Sequence, residues 1–367
     1  MLDLFMPVRL YAGEGCVKKH GAEFGKFGKR CILVTGKHAA RESGALANVL
    51  SVLAAEGISY VLYDAVRANP LLAACREAGV TAAESGAEFV IGIGGGSPLD
   101  AAKAVSVFAA NPALDEDGFY AKKWENDPLP VVLVGTTAGT GSEVTKVAVL
   151  TDSKGRKHSI HDDRLYAALS LGDPRYTLSL PAPVTLSSGI DVLAHCMESY
   201  FSKKADSVSR AFAVAGIRLL YDDLAAAEAG GELSLEARGR LYEASLLGGL
   251  AINTTGTCFP HNVGYYLTEN CRIPHGWACA VFLPDMLEAV AESCPAETEA
   301  FFRETGRSRE EILALIQGAL PELTVRMTEE EIAAALPRWE DNGSVKNTLA
   351  DMTAEKIGTI LRKKFLS

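Results

Sequence analysis

Four side chains in the second half of this sequence are suited to binding a metal ion. Asp191 and His195 stand four residues apart in a helical pattern, so both project from one helix face about a turn apart. His261 and His275 are each directly preceded by a proline. One carboxylate and three imidazoles suit a divalent first-row metal such as iron or zinc, and Glu198 falls on roughly the same helix face as a partner for them. Spacing alone leaves open the alternative that these histidines only fill a core.

A glycine-rich turn in the first half is suited to binding phosphate. Gly95 and Gly96 follow a buried apolar run, and without side chains their backbone N–H groups can approach an anion closely. The pattern predicts Ser97 as the N-cap of the next helix and Asp100 at its capping-box position. The positive end of that helix would then face a phosphate. The alternative is a tight turn without a ligand, because the run matches G-x-G-x-x-G only in part.

A second polar run, Gly135-Thr-Thr-Ala-Gly-Thr-Gly-Ser-Glu-Val-Thr145, follows another apolar run. Its hydroxyls and glycines suit hydrogen bonding to a polar ligand at the carboxyl ends of parallel strands. Thr136, Thr137 and Thr145 are the candidate contacts. A polar surface loop is the alternative, although two such turns in one predicted sheet support each other.

The elements that must position these residues change in character along the chain. Short apolar runs predict strands at residues 31–35, 59–63, 89–93 and 130–134, and they alternate with helical patterns at 44–56, 71–85 and 98–109. From about Pro183 long amphipathic patterns dominate, at 207–221, 233–250, 310–320 and 329–335. We therefore predict an α/β dinucleotide-binding domain with a parallel sheet at residues 1–180 and an all-α metal-binding domain at 181–367. The run Leu180-Pro-Ala-Pro183 is predicted to be a stiff linker, and a helix carrying the first metal ligands is predicted to open at Ser187.

Composition narrows the classes of partner. With 367 residues, 48% of them hydrophobic, the chain can bury a sizeable core, and a net charge of -10 argues against nucleic acid. No run approaches the roughly 20 apolar residues that cross a bilayer, and the N-terminus shows no export signal. The eight cysteines form no C-x-x-C pair, so we expect reduced thiols in a cytoplasmic protein. We also expect a homodimer or larger homo-oligomer.

Taken together, these segments resemble the iron-containing alcohol dehydrogenases over essentially the whole chain. The matching segments are Gly94-Gly-Gly-Ser-Pro-Leu-Asp-Ala-Ala-Lys103, Thr136–Thr145, Gly189-Ile-Asp-Val-Leu-Ala-His-Cys-Met-Glu-Ser-Tyr200 and Pro274-His-Gly276. The resemblance implies a dehydroquinate synthase-like fold and an enzyme that interconverts alcohols and aldehydes or ketones by hydride transfer to or from NADP or NAD. It also implies that Asp191, His195, His261 and His275 bind the metal, Fe²⁺ in the first place or Zn²⁺.

The resemblance further assigns contacts with the cofactor. The implied residues are Gly95, Gly96, Ser97, Asp100, Asn69, Thr136, Thr137, Thr145, Lys157, Thr177 and Leu178. NADP(H) is favoured because relatives that use NAD commonly have an aspartate where Gly36 stands, and that carboxylate would repel a 2′-phosphate. Lys37, His38 and Arg41 supply positive charge nearby, while Glu42 opposes it.

One position departs from the family pattern, and two other functions compete. Where many relatives have a further histidine, this chain has Tyr265, and because a phenol is a poor proton acceptor at neutral pH we expect no proton relay there. The main competing function is a dehydroquinate-synthase-like lyase, whose phosphorylated substrate should require more basic residues than Arg272, Lys203 and Lys204 near the metal motifs. A non-catalytic scaffold is the second, and the intact ligand set argues against it.

Overall fold

A computed structural model describes residues 4–366, and its internal contacts divide the chain into two units. The α/β unit contains Leu4–Pro181 and a later helical segment, Leu233–Gly249. The helical unit contains Ala182–Glu232 and residues 250–366. The domain boundary that the sequence predicts at residue 180 stays a prediction. In residues 4–366 no helix is both long and apolar enough to cross a membrane.

The α/β unit is built on a parallel sheet. Its strands are β1 (Arg9–Ala12), β2 (Arg30–Gly36), β3 (Ser59–Val66), β4 (Phe89–Gly94), β5 (Val131–Gly135) and, after a hairpin, β8 (Leu169–Gly172). Their order is β1-β8-β5-β4-β2-β3, and every neighbouring pair is parallel. The hairpin is a separate antiparallel pair, β6 (Val147–Thr151) and β7 (Lys157–His161). The predicted parallel sheet is confirmed, and its four predicted strands are β2 to β5.

Both faces of this sheet are buried. The helices of the unit are α1 (Cys16–His20), α2 (Ala39–Glu42), α3 (Ala45–Glu56), α4 (Leu72–Glu84), α5 (Gly96–Ala110) and α6 (Glu116–Tyr120), with 3₁₀ turns at Gly21–Lys26, Ser142–Val144, Asp163–Leu165 and Pro174–Thr177. Alternate residues of β2 enter different cores: Ile32 and Val34 pack with α4 and α5, whereas Cys31 and Leu33 pack with α3. Because helices cover both faces, the central strands β2, β4 and β5 are nearly continuous apolar runs rather than alternating ones.

The order of strands creates a ligand-binding position at the end of the sheet. β2 and β4 are neighbours in the sheet, although β3 separates them in sequence. The helix after β2 packs on one face, and the helix after β4 packs on the other. In doubly wound sheets ligands bind at the carboxyl ends of strands where connections leave in opposite directions. Gly36 ends β2 and Gly94 ends β4, so the predicted phosphate-binding turn lies at this position.

The start of α5 corrects the predicted capping. The helix begins at Gly96, and Gly95 is its N-cap, so Ser97 lies inside the first turn and is not the N-cap. The capping box predicted for Asp100 is also wrong, because its carboxylate accepts hydrogen bonds from Ser142 Oγ and the Val149 N–H instead. Glycine makes the early start possible, since it lets the chain enter the helix beside the turn after β5.

The helical unit surrounds one buried helix. Its helices are α7 (Ala182–Tyr200), α8 (Ser207–Glu228), α9 (Leu235–Thr255, assigned to this unit from Leu250), α10 (Phe259–Cys271), α11 (His275–Ala280), α12 (Leu283–Ser293), α13 (Pro295–Thr305), α14 (Arg309–Ala319), α15 (Glu329–Ala335), α16 (Gly343–Asn347) and α17 (Ala354–Phe365), with a 3₁₀ turn at Leu336–Arg338. Every residue of α7 from Gly189 to Tyr200 is buried. The predicted helical second half is confirmed. The polar side chains that α7 buries need hydrogen-bonding or charged partners.

The start of α7 differs from the sequence prediction. The helix begins at Ala182 rather than at Ser187, and Pro183 lies in its first turn. Proline is tolerated there because the first N–H groups of a helix have no intrahelical acceptor. The predicted linker therefore ends at Pro181, and its last two residues are helical.

The packing of α4 on α5 gives a stability prediction. A Cβ at Gly79 would lie 2.4 Å from Phe108 Cβ. We expect Gly79→Ala to lower the free energy of unfolding by about 1–3 kcal/mol, because the two helices must move apart. The control is Gly239→Ala in α9, where a Cβ meets nothing within 4 Å among the described residues and helix propensity should add about 0.5–1 kcal/mol. Urea unfolding measures both variants, and equal stability of the two would contradict the packing.

Candidate metal and cofactor sites

The four predicted metal ligands come from three helices of the helical unit. Asp191 and His195 lie one turn apart on α7, His261 is the third residue of α10, and His275 is the first residue of α11. Asp191 Oδ1 lies 3.5 Å from His261 Nε2 and 4.0 Å from His275 Nε2. Asp191, His195 and His261 are almost fully buried, whereas 27% of the His275 side chain is exposed. His275 is therefore the member of the set that solvent reaches most easily.

Two buried atoms at the centre of this set lack a hydrogen bond. Asp191 Oδ1 and His261 Nε2 have no hydrogen-bond partner anywhere in residues 4–366. Buried polar atoms are nearly always paired, and leaving one unpaired costs about 1–3 kcal/mol. A carboxylate oxygen and an imidazole nitrogen that face each other would both be satisfied by a divalent cation. The residues present therefore fit a metal ion.

The charge state of Asp191 suits this role. Burial raises the pKa of its carboxyl group, but the neighbouring His195, His275 and His261 outweigh that effect and hold the pKa below its ordinary value. Metal ligands must be deprotonated, so the carboxylate is already in the ligating form at neutral pH.

Glu198 fixes the orientation of His261. Its Oε1 lies 2.5 Å from His261 Nδ1, and its Oε2 accepts the backbone N–H of Cys258 at 2.6 Å. Glu198 is fully buried. A carboxylate at Nδ1 keeps the proton on that nitrogen and leaves the lone pair on Nε2, the nitrogen that faces Asp191. The helix spacing places Glu198 on this face, as the sequence indicates.

His195 and Cys279 contact the predicted ligands differently. His195 stacks its ring on His261, whereas the Cys279 thiol lies among the ligand atoms themselves. The ligand atoms of Asp191, His261, His275 and Cys279 all lie within 4.8 Å of one another. His195 packs its ring against His261, with centroids 4.7 Å apart and planes 23° apart. Burial raises the pKa of the Cys279 thiol to about 11, which favours the neutral form. Sequence reasoning missed Cys279, although its position four residues after His275 places both on one helix face.

Glycine and tyrosine set the position of His275. A Cβ at Gly276 would lie 1.9 Å from the backbone oxygen of Ser187, so only glycine lets α11 start this close to α7. The Tyr265 ring stacks on His275, with centroids 5.4 Å apart and planes 21° apart. The residue that departs from the family pattern therefore contacts a predicted ligand.

In the α/β unit, the turn after β4 packs directly on the turn after β5. A Cβ at Gly95 would lie 3.0 Å from the Thr137 side chain, and one at Gly96 would lie 2.6 Å from Thr140 Cγ2. Within the described part of the chain no side chain caps the first turn of α5. Its backbone N–H groups and the positive helix end are thus available for an anion such as a phosphate.

Further predicted cofactor residues gather near the ends of the same strands. Thr151 Oγ1 donates to the Asn69 carbonyl, and Thr151 pairs with Lys157 in the β6–β7 hairpin, so Asn69 and Lys157 are brought together. Thr177 ends the 3₁₀ turn that follows β8, and half of the adjacent Leu178 is exposed.

The remaining predicted residues lie closer to the two turns. Thr136 is buried, and its N–H donates to the Gly94 carbonyl at 2.8 Å. Thr145 is buried and its carbonyl accepts from Lys103. Lys37 is exposed directly after Gly36 at the end of β2.

Sequence reasoning also missed a buried acid and phenol at the ends of β5 and β8. The Tyr242 hydroxyl on α9 donates to Glu143 Oε1 at 2.6 Å. Burial raises the pKa of both groups. A Cβ at Gly135 or Gly172 would collide with this pair, at 1.9 Å and 2.3 Å. The glycine that ends each strand was the available signal, because it makes room for a neighbour.

Comparisons with known proteins show the family of this chain. The profile of the family described as iron-containing alcohol dehydrogenase matches residues 7–174, and its C-terminal profile matches residues 185–363. The chain is 28% identical to an NAD-dependent methanol dehydrogenase of Bacillus methanolicus over 96% of this chain and 90% of that protein. It is 35% identical to a 1,3-propanediol dehydrogenase of Citrobacter freundii over 77% of this chain and 74% of that protein. An iron-containing alcohol dehydrogenase from Thermotoga maritima superposes with a TM-score of 0.91 and 34% identity, covering 99% of both chains.

The Glu198–His261 contact gives a prediction about metal affinity. Replacing Glu198 with glutamine removes the charge that holds the His261 proton on Nδ1, so we expect metal affinity to fall by about 10–100-fold. Titration with Co²⁺ against a chelator measures the dissociation constant. Glu292→Gln, at an exposed position on α12, should leave it unchanged. Equal affinities of both variants would show that Glu198 does not orient the ligand.

Proposed function

Because the chain belongs to the iron-containing alcohol dehydrogenase family, we propose that it interconverts alcohols and aldehydes or ketones by hydride transfer to or from a nicotinamide cofactor. The observation that carries the proposal is the unsatisfied pair of buried atoms, Asp191 Oδ1 and His261 Nε2. The relatives are named for substrates as different as methanol and 1,3-propanediol, so we propose the class of small alcohols and aldehydes. The proposal includes a cytoplasmic homo-oligomer, as the sequence predicts.

We infer that Asp191, His195, His261 and His275 hold one divalent ion, Fe²⁺ in the first place and Zn²⁺ as the alternative. Such an ion, when bound, supplies a Lewis acid for an alcohol or carbonyl oxygen. The chain supplies its orientation: Glu198 sets the tautomer of His261, and the carboxylate of Asp191 brings negative charge. Burial of Asp191, His261 and Glu198 keeps water away from these three side chains.

The turns of the α/β unit support binding of the cofactor, which itself carries the hydride. Backbone N–H groups at Gly95, Gly96 and Ser97 would bind the pyrophosphate, helped by the positive end of α5. Residues near these turns would bind the rest of the molecule, through hydroxyls, an amide, an ammonium group and an apolar contact. We propose for this Asn69, Thr136, Thr137, Thr145, Lys157, Thr177 and Leu178.

We propose NADP(H) as the preferred cofactor. β2 ends at Gly36, where no carboxylate can repel a 2′-phosphate, and the exposed Lys37 and His38 follow it. Arg41 contributes less than the sequence indicates, because its guanidinium pairs with Asp64 at 2.8 Å. Lys37 is therefore the main candidate for binding the phosphate.

The cofactor proposal is tested by exchanging charge at the end of β2. Gly36→Asp should lower the ratio of kcat/KM with NADPH to kcat/KM with NADH by about tenfold or more, which corresponds to about 1.4 kcal/mol, because the new carboxylate would repel the 2′-phosphate. A Cβ there lies 3.3 Å from the Val66 oxygen, so the side chain needs only a small adjustment. Lys37→Ala should weaken the binding of NADPH but not of NADH. The matched control is Arg41→Ala, which removes a cation that Asp64 already pairs. A wild-type enzyme that prefers NADH would refute the proposal.

The metal proposal is tested by His261→Ala and Asp191→Asn. Each variant should lose more than about 100-fold in metal affinity, because even outer partners of ligands contribute 10–100-fold. Aldehyde-dependent oxidation of NADPH should fall accordingly. Affinity for NADPH should persist, since the glycine-rich turn belongs to the α/β unit.

Metal analysis, cofactor titration and aldehyde reduction on the same preparations separate these effects. Full activity of either variant would exclude this metal site. Wild-type protein that binds NADPH but does not oxidise it with any aldehyde would instead favour the lyase function.

A further inference from the structure

In the α/β unit, a buried lysine contacts the second polar turn, which follows β5. Lys103 lies on α5, two turns after the glycine-rich turn, in the run Ala101–Ala110, whose other residues are apolar except for Ser106. Its side chain is completely buried. Burial lowers the pKa of Lys103 to about 8, against the opposing attraction of Asp100 and Glu143, so the ammonium is charged at neutral pH. A buried charge is tolerated only when hydrogen bonds compensate it.

The compensation comes from one segment of chain. Lys103 Nζ donates to the backbone carbonyls of Ser142, Thr145 and Val147 at 2.8, 2.9 and 2.7 Å. Lys103 Nζ also donates to Ser142 Oγ at 2.9 Å and to Thr145 Oγ1 at 3.4 Å, so five acceptors share the three N–H donors of the ammonium. All these acceptors lie between Ser142, in the turn after β5, and Val147, the first residue of β6. Lys103 therefore fixes the backbone of residues 142–147 through hydrogen bonds to their carbonyl oxygens.

Asp100, one turn before Lys103, accepts hydrogen bonds from a side-chain hydroxyl and a backbone N–H of the same segment. Its Oδ1 accepts from Ser142 Oγ at 2.6 Å, and its Oδ2 accepts from the Val149 N–H at 2.9 Å. Both carboxylate oxygens are thus engaged within the protein. Only 14% of this side chain is exposed. A carboxylate would also repel the pyrophosphate that the neighbouring N–H groups are suited to bind.

We propose that Asp100 and Lys103 are positioning residues for the cofactor site: they hold the segment Ser142–Val149, which contains Thr145 and directly continues the turn that packs Thr137 and Thr140 on Gly95 and Gly96, and Asp100 does not itself contact the cofactor. The inference rests on the proposed function, since it needs a nicotinamide cofactor at these turns. It changes the role that the family resemblance implies for Asp100. The pair acts through backbone geometry and not through the ligand.

A double-mutant cycle separates this role from direct contact. NADPH binding is titrated by fluorescence in wild type, Asp100→Ala, Ser142→Ala and the double variant. Ser142→Ala should weaken binding by about tenfold, as expected for a lost buried hydrogen bond to a charged group, and Asp100→Ala should weaken it by at least as much, because it also frees the Val149 N–H. Because both residues act through one hydrogen-bonded network, the double variant should be little weaker than Asp100→Ala alone. If Asp100 contacted the cofactor, the two effects would multiply, and the proposal would fail.

Further readouts exclude general destabilisation. Co²⁺ affinity should stay unchanged in all variants, and Glu84→Ala, at an exposed position on α4, should bind NADPH normally. Lys103→Met removes the charge with similar volume and should weaken NADPH more than Asp100→Ala; if it does not fold, the cycle above still decides. Unchanged NADPH binding in Asp100→Ala would also overturn the proposal. Wild-type protein that binds neither NADPH nor NADH would refute the proposed function itself.

Discussion

The helical unit is organised around an unfavourable arrangement: a buried carboxylate oxygen and a buried imidazole nitrogen that face each other without a hydrogen bond. Asp191 Oδ1 and His261 Nε2 lie 3.5 Å apart. Left uncompensated, such a pair would destabilise the fold. The surrounding structure holds it in place, because Glu198 restrains His261 from behind and Gly276 lets α11 approach α7. This geometry fits a bound cation.

The α/β unit also contains a buried charged group, in this case a positive one. Lys103 is buried beneath a polar turn, and backbone carbonyls and Asp100 compensate its charge. In both units, a buried charged group on a helix contacts atoms that are suited to a ligand or lie next to such atoms: Glu198 contacts His261, and Lys103 contacts the second polar turn. Oxidoreductase chemistry of the proposed kind requires such fixed positions, because a metal and a dinucleotide must be held in defined orientations.

The sequence predicts those parts whose signals are local. The central strands were recognisable because sheets buried on both faces have continuous apolar runs, and the spacing of Asp191, His195 and Glu198 showed one helix face. β1 and β8 were missed because they are four residues long, too short for periodicity to identify. The Tyr242–Glu143 contact joins residues 99 apart in sequence, and local patterns carry no information about it. Lys103 was visible as a charge in an apolar helix, but its partners lie about 40 residues further on.

The central claim, that Asp191 and His261 share a cation, is tested most directly by anomalous X-ray diffraction from crystals of active protein. The account predicts an anomalous peak at the absorption edge of iron or zinc, about 2.0–2.2 Å from both Asp191 Oδ1 and His261 Nε2. Active crystals with no peak there, and with the two atoms joined by a direct hydrogen bond, would contradict it.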